Sequence, residues 1–360
     1  MRKLATVREI KDIKPIAGAD KIECAVVDGW ECVVAKKDNL KVGDWIVYVE
    51  IDSLMPERPE FEFLRSKKFR VRTIKLRGQV SQGLVLPLSI LPGWLYDLGE
   101  DVTELLGIKK YDPEGERERK MASHSEEKVK NPFVKFLMRF AWLRKRFVKT
   151  KKGGFPSWIA KTDEERIQNK TAMFEMEKEL GTAFSVTEKL DGQSLTLFLE
   201  RIGKRKFDFG VCSRNLRLPS PDDSSWWTIA KQIDAENVLK ALLGNGSRIV
   251  LQGEIIGNRI QGNKYKIDGY DFYAFNLIID NVKFTSQEIK VMLEAHNIKT
   301  VPILDDDFKL LNSISEMVSY AKGDSVLHKT KREGVVVRSH KRNISFKVIN
   351  ADFLLDEEGE

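Results

Sequence analysis

Lys189 closes the run Ser185-Val186-Thr187-Glu188-Lys189 and is followed by Leu190-Asp191-Gly192. Apolar and polar residues alternate up to the lysine as in a strand, and Asp-Gly then breaks the run as a turn. A lysine at such a corner is placed to act as a covalent nucleophile. Its amine attacks an electrophile only when burial or nearby cations lower its pKa, because at about 10.4 it is almost wholly protonated at neutral pH. The chemistry therefore asks for positive charge or a metal beside it. Taken alone, Lys-x-Asp-Gly is equally a surface lysine before a hairpin turn. The residues downstream of it decide between the two.

Five further segments come in order: Cys212-Ser213-Arg214-Asn215, Leu251-Gln252-Gly253-Glu254-Ile255-Ile256-Gly257, Asp271-Phe272-Tyr273-Ala274-Phe275-Asn276, Glu333-Gly334-Val335-Val336-Val337-Arg338 and Ile344-Ser345-Phe346-Lys347-Val348-Ile349. Glu254 and Glu333 stand among apolar strand residues, where a carboxylate is costly to bury without a cation. A divalent metal or a ribose hydroxyl is the expected partner. Arg214 and Lys347 can hold phosphate oxygens, and Phe275 offers a ring for adenine to stack on. Each has a plain structural explanation by itself. As an ordered set they suit nucleotidyl transfer, in which AMP passes from ATP to an amine and charge is neutralised at the α-phosphate.

These residues need a frame, and the pattern predicts an α+β chain. Trp30–Ala35 and Trp45–Glu50 read as strands, punctuated by Asp28-Gly29 and Gly43-Asp44. Arg70-Val71-Arg72-Thr73-Ile74-Lys75-Leu76-Arg77 alternates in a way that places four positive charges on one strand face. A small OB-like β-barrel over residues 1–110 is expected, a form common among nucleic-acid binders. Residues 111–152 read as a charged linker and a basic amphipathic helix, docked with its basic face outward or lying on an anionic surface. A second domain is expected over 153–355. It should hold a helix near 162–180 capped by Thr162 or Asp163, strands through 184–280, helices at 286–297 and 312–322, and strands at 333–349. The acidic end, 356–360, reads as a disordered tail.

Length and composition agree with two soluble domains: 360 residues, 42% hydrophobic and 32% charged. No apolar run approaches the ~18 residues that span a bilayer, and the N-terminus lacks a signal-peptide core. Cys24, Cys32 and Cys212 make no Cys-x-x-Cys pair, and the four histidines are scattered, so neither a disulfide scaffold nor a His/Cys zinc site is indicated. An intracellular, cytoplasmic setting is expected. The net charge of +7 is concentrated: residues 128–152 carry ten Lys/Arg and no Asp/Glu. Such a block suits a polyanion, since neutralising phosphates releases counterions.

On these motifs the chain resembles the covalent nucleotidyltransferase superfamily of ligases and capping enzymes over about residues 160–352. Lys189-Leu190-Asp191-Gly192 resembles the motif that becomes adenylylated, Ser213-Arg214-Asn215 the next, Gln252-Gly253-Glu254 the third, Tyr273-Ala274-Phe275 the adenine-stacking segment, Glu333-Gly334 the fourth and Ser345-Phe346-Lys347 the last. Within the superfamily it looks most like the ATP-dependent RNA ligases. Ile260-Gln261-Gly262-Asn263-x-Tyr265 has their flavour, and the chain runs on only briefly after Lys347, where DNA ligases and capping enzymes carry a further OB domain. Gly29-Trp30, Val42-Gly43-Asp44, Tyr48-Val49-Glu50-Ile51-Asp52-Ser53 and Leu76-Arg77-Gly78-Gln79 resemble the N-terminal OB module of one RNA ligase family. Lys161-Thr162-Asp163-Glu164-Glu165-Arg166 also looks like that family.

The resemblance implies an ATP-grasp-like nucleotidyltransferase (ligase) domain on antiparallel sheets with flanking helices. It implies Lys189, Glu254, Glu333 and Lys347 as catalytic residues, Glu188, Arg166, Arg214, Phe275 and Arg338 as ATP-binding residues, and Glu254 and Glu333 as ligands of Mg²⁺ or Mn²⁺. Glu188 is the candidate reader of the adenine amino group. The implied reaction seals RNA 3′-OH and 5′-phosphate ends through lysyl-AMP and AMP-RNA. The expected partner is RNA as a nicked duplex or bridged ends, met by a monomer with no membrane contact. A DNA ligase using the same lysine chemistry and a non-catalytic RNA-binding protein are the alternatives. Two departures from the family pattern stand out. The last motif pairs two lysines two residues apart, whereas Lys347 has Ser345 and Ile349 at those distances, so Lys347 works alone or Arg338 or Lys341 supplies the second charge. The stacking segment usually ends in Asp and here ends in Asn276.

Overall fold

A computed structural model describes residues 3–93, 95–112, 153–219, 222–339 and 341–357. Most of the charged 111–152 segment, with its basic amphipathic stretch, and the last three residues of the acidic end lie outside the described residues.

Ten short strands come first: β1 (Ala5–Glu9), β2 (Asp12–Pro15), β3 (Ile22–Val27), β4 (Trp30–Ala35), β5 (Trp45–Val49), β6 (Ser53–Leu54), β7 (Thr73–Leu76), β8 (Gln79–Gln82), β9 (Leu84–Pro87) and β10 (Lys109–Lys110). They pair as β1–β5–β9, β2–β3–β4, β7–β8 and β6–β10. Period-two burial makes the core: on β4, Trp30, Cys32 and Val34 turn inward and their neighbours do not. Trp30 stacks on Tyr48 of β5 with ring centroids 5.6 Å apart. The basic stripe at 70–77 does not present four charges on one face. Phe69, Val71 and Thr73 are the buried set, so Arg70 and Arg72 share the opposite face, whereas Lys75 falls on the parity of Thr73 and Arg77 sits in the hairpin turn. A one-residue change of parity moves a side chain to the other face.

The second half is built of β11 (Gly153–Gly154), α1 (Thr171–Glu179), β12 (Ala183–Lys189), β13 (Gln193–Gly203), β14 (Lys206–Cys212), β15 (Leu216–Arg217), α2 (Ser225–Gln232), α3 (Ala235–Leu243), β16 (Arg248–Gly257), β17 (Tyr270–Ile279), β18 (Val282–Lys283), α4 (Ser286–Glu294), β19 (Lys299–Thr300), β20 (Ile303–Lys309), α5 (Ile314–Ala321), β21 (Gly334–Ser339), β22 (Ile344–Ile349) and α6 (Ala351–Glu357). One sheet runs β11–β15–β14–β13–β16–β17–β18, with β19 added parallel to β17, and the other runs β20–β12–β21–β22. Helices α2, α3 and α4 bury their apolar faces on the larger sheet, and α1 and α5 on the smaller. The corner Leu190-Asp191-Gly192 passes from β12 in one sheet to β13 in the other, so Lys189 ends one sheet where the second begins.

Three expectations change. The helix near 162–180 is only Thr171–Glu179, and neither Thr162 nor Asp163 caps it. Residues before it are drawn instead to β22: Arg166 bridges Lys347 in parallel, and the Lys347 N–H donates to the Glu165 carbonyl at 2.8 Å. Helices α2 and α3 interrupt the span read as strands. The acidic end begins as helix α6, and Asp356 pairs with Lys331 at 2.8 Å.

The two halves share a seam. Asn169 donates to the buried Glu50 carboxylate at 2.5 Å and accepts from Arg8 at 3.3 Å. The Arg166 guanidinium lies 5.5 Å from the Trp30 ring centroid. At Gly29 a Cβ would stand 2.7 Å from the Ile314 side chain of α5, and φ is +82°, so both space and backbone require glycine.

Candidate active site

The antiparallel register of β12 and β21 sets Lys189 opposite Gly334, which brings Glu333 to the lysine. Lys189 Nζ donates to Glu333 Oε2 at 2.6 Å. Gly334 permits the turn: its φ is +153°, and a Cβ there would lie 2.2 Å from the Val348 carbonyl oxygen. Burial works to lower the Lys189 pKa, but Glu333 and Glu254 more than offset it, and the amine is held above its ordinary value. The two carboxylates thus favour the protonated amine.

The corner after Lys189 is clamped. The Asp191 N–H donates to the Tyr265 hydroxyl at 2.8 Å, and Lys264 donates to Asp191 Oδ2 at 2.7 Å. The Lys264 ammonium also lies 3.9 Å from the Phe353 ring centroid on α6. A Cβ at Gly192 would lie 2.4 Å from the Ile255 carbonyl oxygen and 2.7 Å from the Glu254 side chain. Gly192 therefore lets the corner press against β16, which carries Glu254.

Glu188 precedes the lysine and is almost fully buried. Its Oε2 accepts from the Val326 N–H at 2.9 Å, but its Oε1 is buried with no hydrogen-bond partner among the described residues. Burial pushes its pKa up. Phe275 on β17 lies on the wall of the same cavity, with the Arg338 guanidinium 5.6 Å from its ring centroid. Arg338 is buried and donates to Glu164 at 3.2 Å, and its Nη1 has no partner among the described residues. Ser345 lies directly across from Arg338 in the β21–β22 ladder and donates to the same Glu164 at 2.6 Å. Serine in the last motif thus helps fix an arginine, and Arg338 faces the cavity where the exposed Lys341 does not. Asn276 donates to Gln252 at 3.0 Å, a structural bond between neighbouring strands.

Cations gather at the other end. Lys347 Nζ donates to Asp163 Oδ1 at 3.0 Å, while Arg214 and Lys110 approach Asp163 Oδ2 at 3.2 and 3.5 Å. Burial, and the nearby charges of Lys189 and Arg166, bring the Lys347 pKa down to about 8. Burial opposes ionisation of Asp163, yet Lys347, Arg214 and Lys110 outweigh it and hold the carboxyl well below its usual range.

One cavity of about 680 Å³ contains all nine site residues expected from sequence: Arg166, Glu188, Lys189, Arg214, Glu254, Phe275, Glu333, Arg338 and Lys347 line it. Its other wall belongs to the N-terminal module, through Asp52, Arg70, Lys110 and Tyr111. No three His, Cys, Asp or Glu side chains converge on a metal position among the described residues. Glu254 and Glu333 still fit a hard divalent cation, because such ions are often held by one or two carboxylates with substrate phosphate and water oxygens completing the shell.

Against known proteins, residues 182–349 match the family described as RNA ligase, and residues 4–88 match an OB-fold domain. The structure of Naegleria gruberi RNA ligase with PPi is 35% identical, with 100% of each chain covered and a TM-score of 0.79. The chain belongs to the RNA ligase family. An apo mutant of the Naegleria gruberi enzyme gives 35% identity, 100% coverage of this chain, 99% of that chain and a TM-score of 0.80. A mutant with AMP and Mn gives 36% identity, 98% coverage of both and a TM-score of 0.79. No curated protein sequence matched the ligase.

Family membership bears out the OB-like module and the ligase domain on antiparallel sheets, and favours an RNA ligase over both alternatives. Sequence reading passed over Asp163, taken for a helix cap, and Lys110. It also gave Lys264 and Tyr265 no role beyond family flavour. A signal was present for the last two, since Lys264-Tyr265 ends the polar segment Gly257–Tyr265 that comes after the glutamate strand. Lys110 had none, because nothing local marks a lysine that meets a carboxylate 53 residues later in the chain. Among the described residues no helix is long and apolar enough to cross a membrane.

Proposed function

We propose that this ligase joins RNA 3′-OH and 5′-phosphate ends with ATP as AMP donor, in three steps centred on Lys189. The enzyme is an ATP-dependent RNA ligase. The observation that carries the residue assignments is the placement of Lys189 in one cavity between Glu188 Oε1, a buried acceptor with no partner among the described residues, and the cations Lys347 and Arg214.

Adenine lies against Phe275 and Arg338, with its exocyclic amine donating to Glu188 Oε1. The phosphates point toward Arg214, Lys347 and Arg166. Once its proton is shed, the Lys189 amine attacks the α-phosphorus. A P–N bond forms, the P–O bond to pyrophosphate breaks, and lysyl-AMP results. A 5′-phosphate oxygen of RNA then displaces the lysine and gives AMP-RNA. The RNA 3′-hydroxyl attacks that 5′-phosphorus and AMP leaves. Glu254 and Glu333 would hold Mg²⁺ or Mn²⁺, which would supply charge neutralisation at the phosphates when bound. Support for ATP and Mn comes from complexes of the Naegleria gruberi ligase with ATP and Mn and with AMP and Mn.

Residues 1–110 act as the RNA-binding module, 111–152 as a basic segment that adds affinity for RNA, and 153–355 as the adenylyltransferase domain. The substrate is a nicked duplex or bridged ends, bound by a monomer. The test is incubation with α-³²P-ATP and a divalent metal, denaturing electrophoresis, and sealing of all-RNA and all-DNA nicks. A labelled band absent from Lys189→Ala, with RNA sealed in preference to DNA, is expected. A band that survives in Lys189→Ala would remove the nucleophile assignment.

A further inference from the structure

The carboxylate of Asp163 joins three cations from three separate parts of the chain. Lys347 comes from β22, Arg214 from the loop after β14, and Lys110 from β10 of the N-terminal module. Asp163 Oδ1 takes Lys347, and Oδ2 takes both Arg214 and Lys110. Three cations on one carboxylate leave positive charge in excess at the wall of the cavity. A phosphate group carries more charge and more acceptor oxygens than a carboxylate and fits the same ring of donors better.

Lys110 is fixed for this role. Its strand pairs with β6, opposite Ser53, and the next residue anchors it further through the Tyr111 N–H, which donates to the Asp52 carbonyl at 2.7 Å. Tyr111 in turn carries the Arg70 guanidinium 4.1 Å from its ring centroid, and Arg70 donates to Asp52 at 2.6 Å. The module therefore faces the nucleotide cavity with an ordered, basic wall.

We propose that Lys110 is a phosphate-binding residue supplied by the N-terminal module, and that Asp163 occupies the phosphate position until substrate displaces it. This deepens the ligase reading and rests on it through Arg214 and Lys347. The phosphate belongs either to the ATP tail or to the RNA 5′ end, and the two sources separate experimentally. Lys110→Ala and Lys110→Arg would be measured in full-length enzyme in two arms: AMP capture from ATP with its reversal by pyrophosphate, and AMP transfer from preformed lysyl-AMP to 5′-phosphorylated RNA. In Lys110→Ala a KM for ATP raised roughly tenfold, with slower pyrophosphate reversal, identifies the ATP tail. A transfer step slowed by about the same factor, with capture unchanged, identifies the RNA phosphate. Lys110→Arg should restore most of either loss. Both arms within about twofold of wild type would overturn the proposal. So would a loss in both arms with a lowered melting temperature that Lys110→Arg fails to rescue. A wild-type enzyme that captured no AMP would instead overturn the ligase reading itself.

Discussion

Lys189 Nζ and Glu333 Oε2 stand 2.6 Å apart, so the proposed nucleophile is ion-paired to a carboxylate. A lysine with its ordinary pKa needs cations or a metal beside it before it can attack. Here the reverse holds, because Glu333 and Glu254 outweigh burial and favour the protonated amine. In the proposed mechanism those carboxylates must be drawn away from the amine before it attacks.

Replacing Glu333 with Gln removes the strongest of the groups that raise the Lys189 pKa. The pH profile of kcat/KM for AMP capture reports the free enzyme. Capture rises with pH as the amine deprotonates, so in Glu333→Gln the midpoint should move to lower pH, while the plateau falls by about 100-fold as a cavity carboxylate is lost. An unmoved midpoint would show that this ion pair does not set the protonation of Lys189.

Lys347 should give the opposite limb. With its pKa brought down to about 8, it is charged below that pH and neutral above it. Phosphate affinity in the free enzyme should therefore weaken as pH rises through about 8. Lys347→Arg keeps its charge throughout, and pyrophosphate binding measured by calorimetry should lose the alkaline decline. If the decline persists unchanged, another group is responsible.

The unpaired Oε1 of Glu188 predicts base selectivity. Glu188→Ala should raise the KM for ATP about tenfold, the scale of one lost hydrogen bond to a charged group. It should also narrow the preference for ATP over GTP, since a carboxylate that accepts from adenine repels the carbonyl of guanine. Competition between the two nucleotides in the AMP-capture assay decides it.

Gly192→Ala should damage the corner. The new methyl would meet the Ile255 carbonyl, a backbone atom that cannot swing aside. Overpacking of this kind costs roughly 1–3 kcal/mol, read as a lowered melting temperature, and AMP capture should fall at least tenfold. Gly154→Ala, with nothing within 4 Å of its Cβ position, is the matched control and should melt as wild type.

Much of this was legible because strand chemistry is local. Trp30–Ala35 and Glu333-Gly334 announce themselves by alternation and by glycine, and the nine residues expected at the site, taken from short segments, all line one cavity. Pairings across the fold were not legible. Asp163 offers a helix cap in sequence and meets Lys347, 184 residues away, in space. Helices α2 and α3 were hidden by their content: Ser225-Trp226-Trp227 reads as strand by residue type, although Ser224 caps the helix by accepting from the Trp227 N–H. The departure at Ser345 left open whether Arg338 or Lys341 supplies a second charge, and only the fold shows its hydroxyl sharing Glu164 with Arg338. The stripe at 70–77 failed because counting charges ignored the parity set by Phe69, Val71 and Thr73.

The seam at Glu50, Asn169, Gly29 and Ile314 bears on how such enzymes can be rebuilt. A front half borrowed from another protein would have to bring a buried carboxylate for Asn169, a residue without a side chain where Ile314 presses in, and an aromatic ring under Arg166. Few unrelated modules meet all three conditions. The halves of this ligase are thus bound to change together, and a chimaera that joins front and back halves from different parents must carry the seam residues of one parent into both.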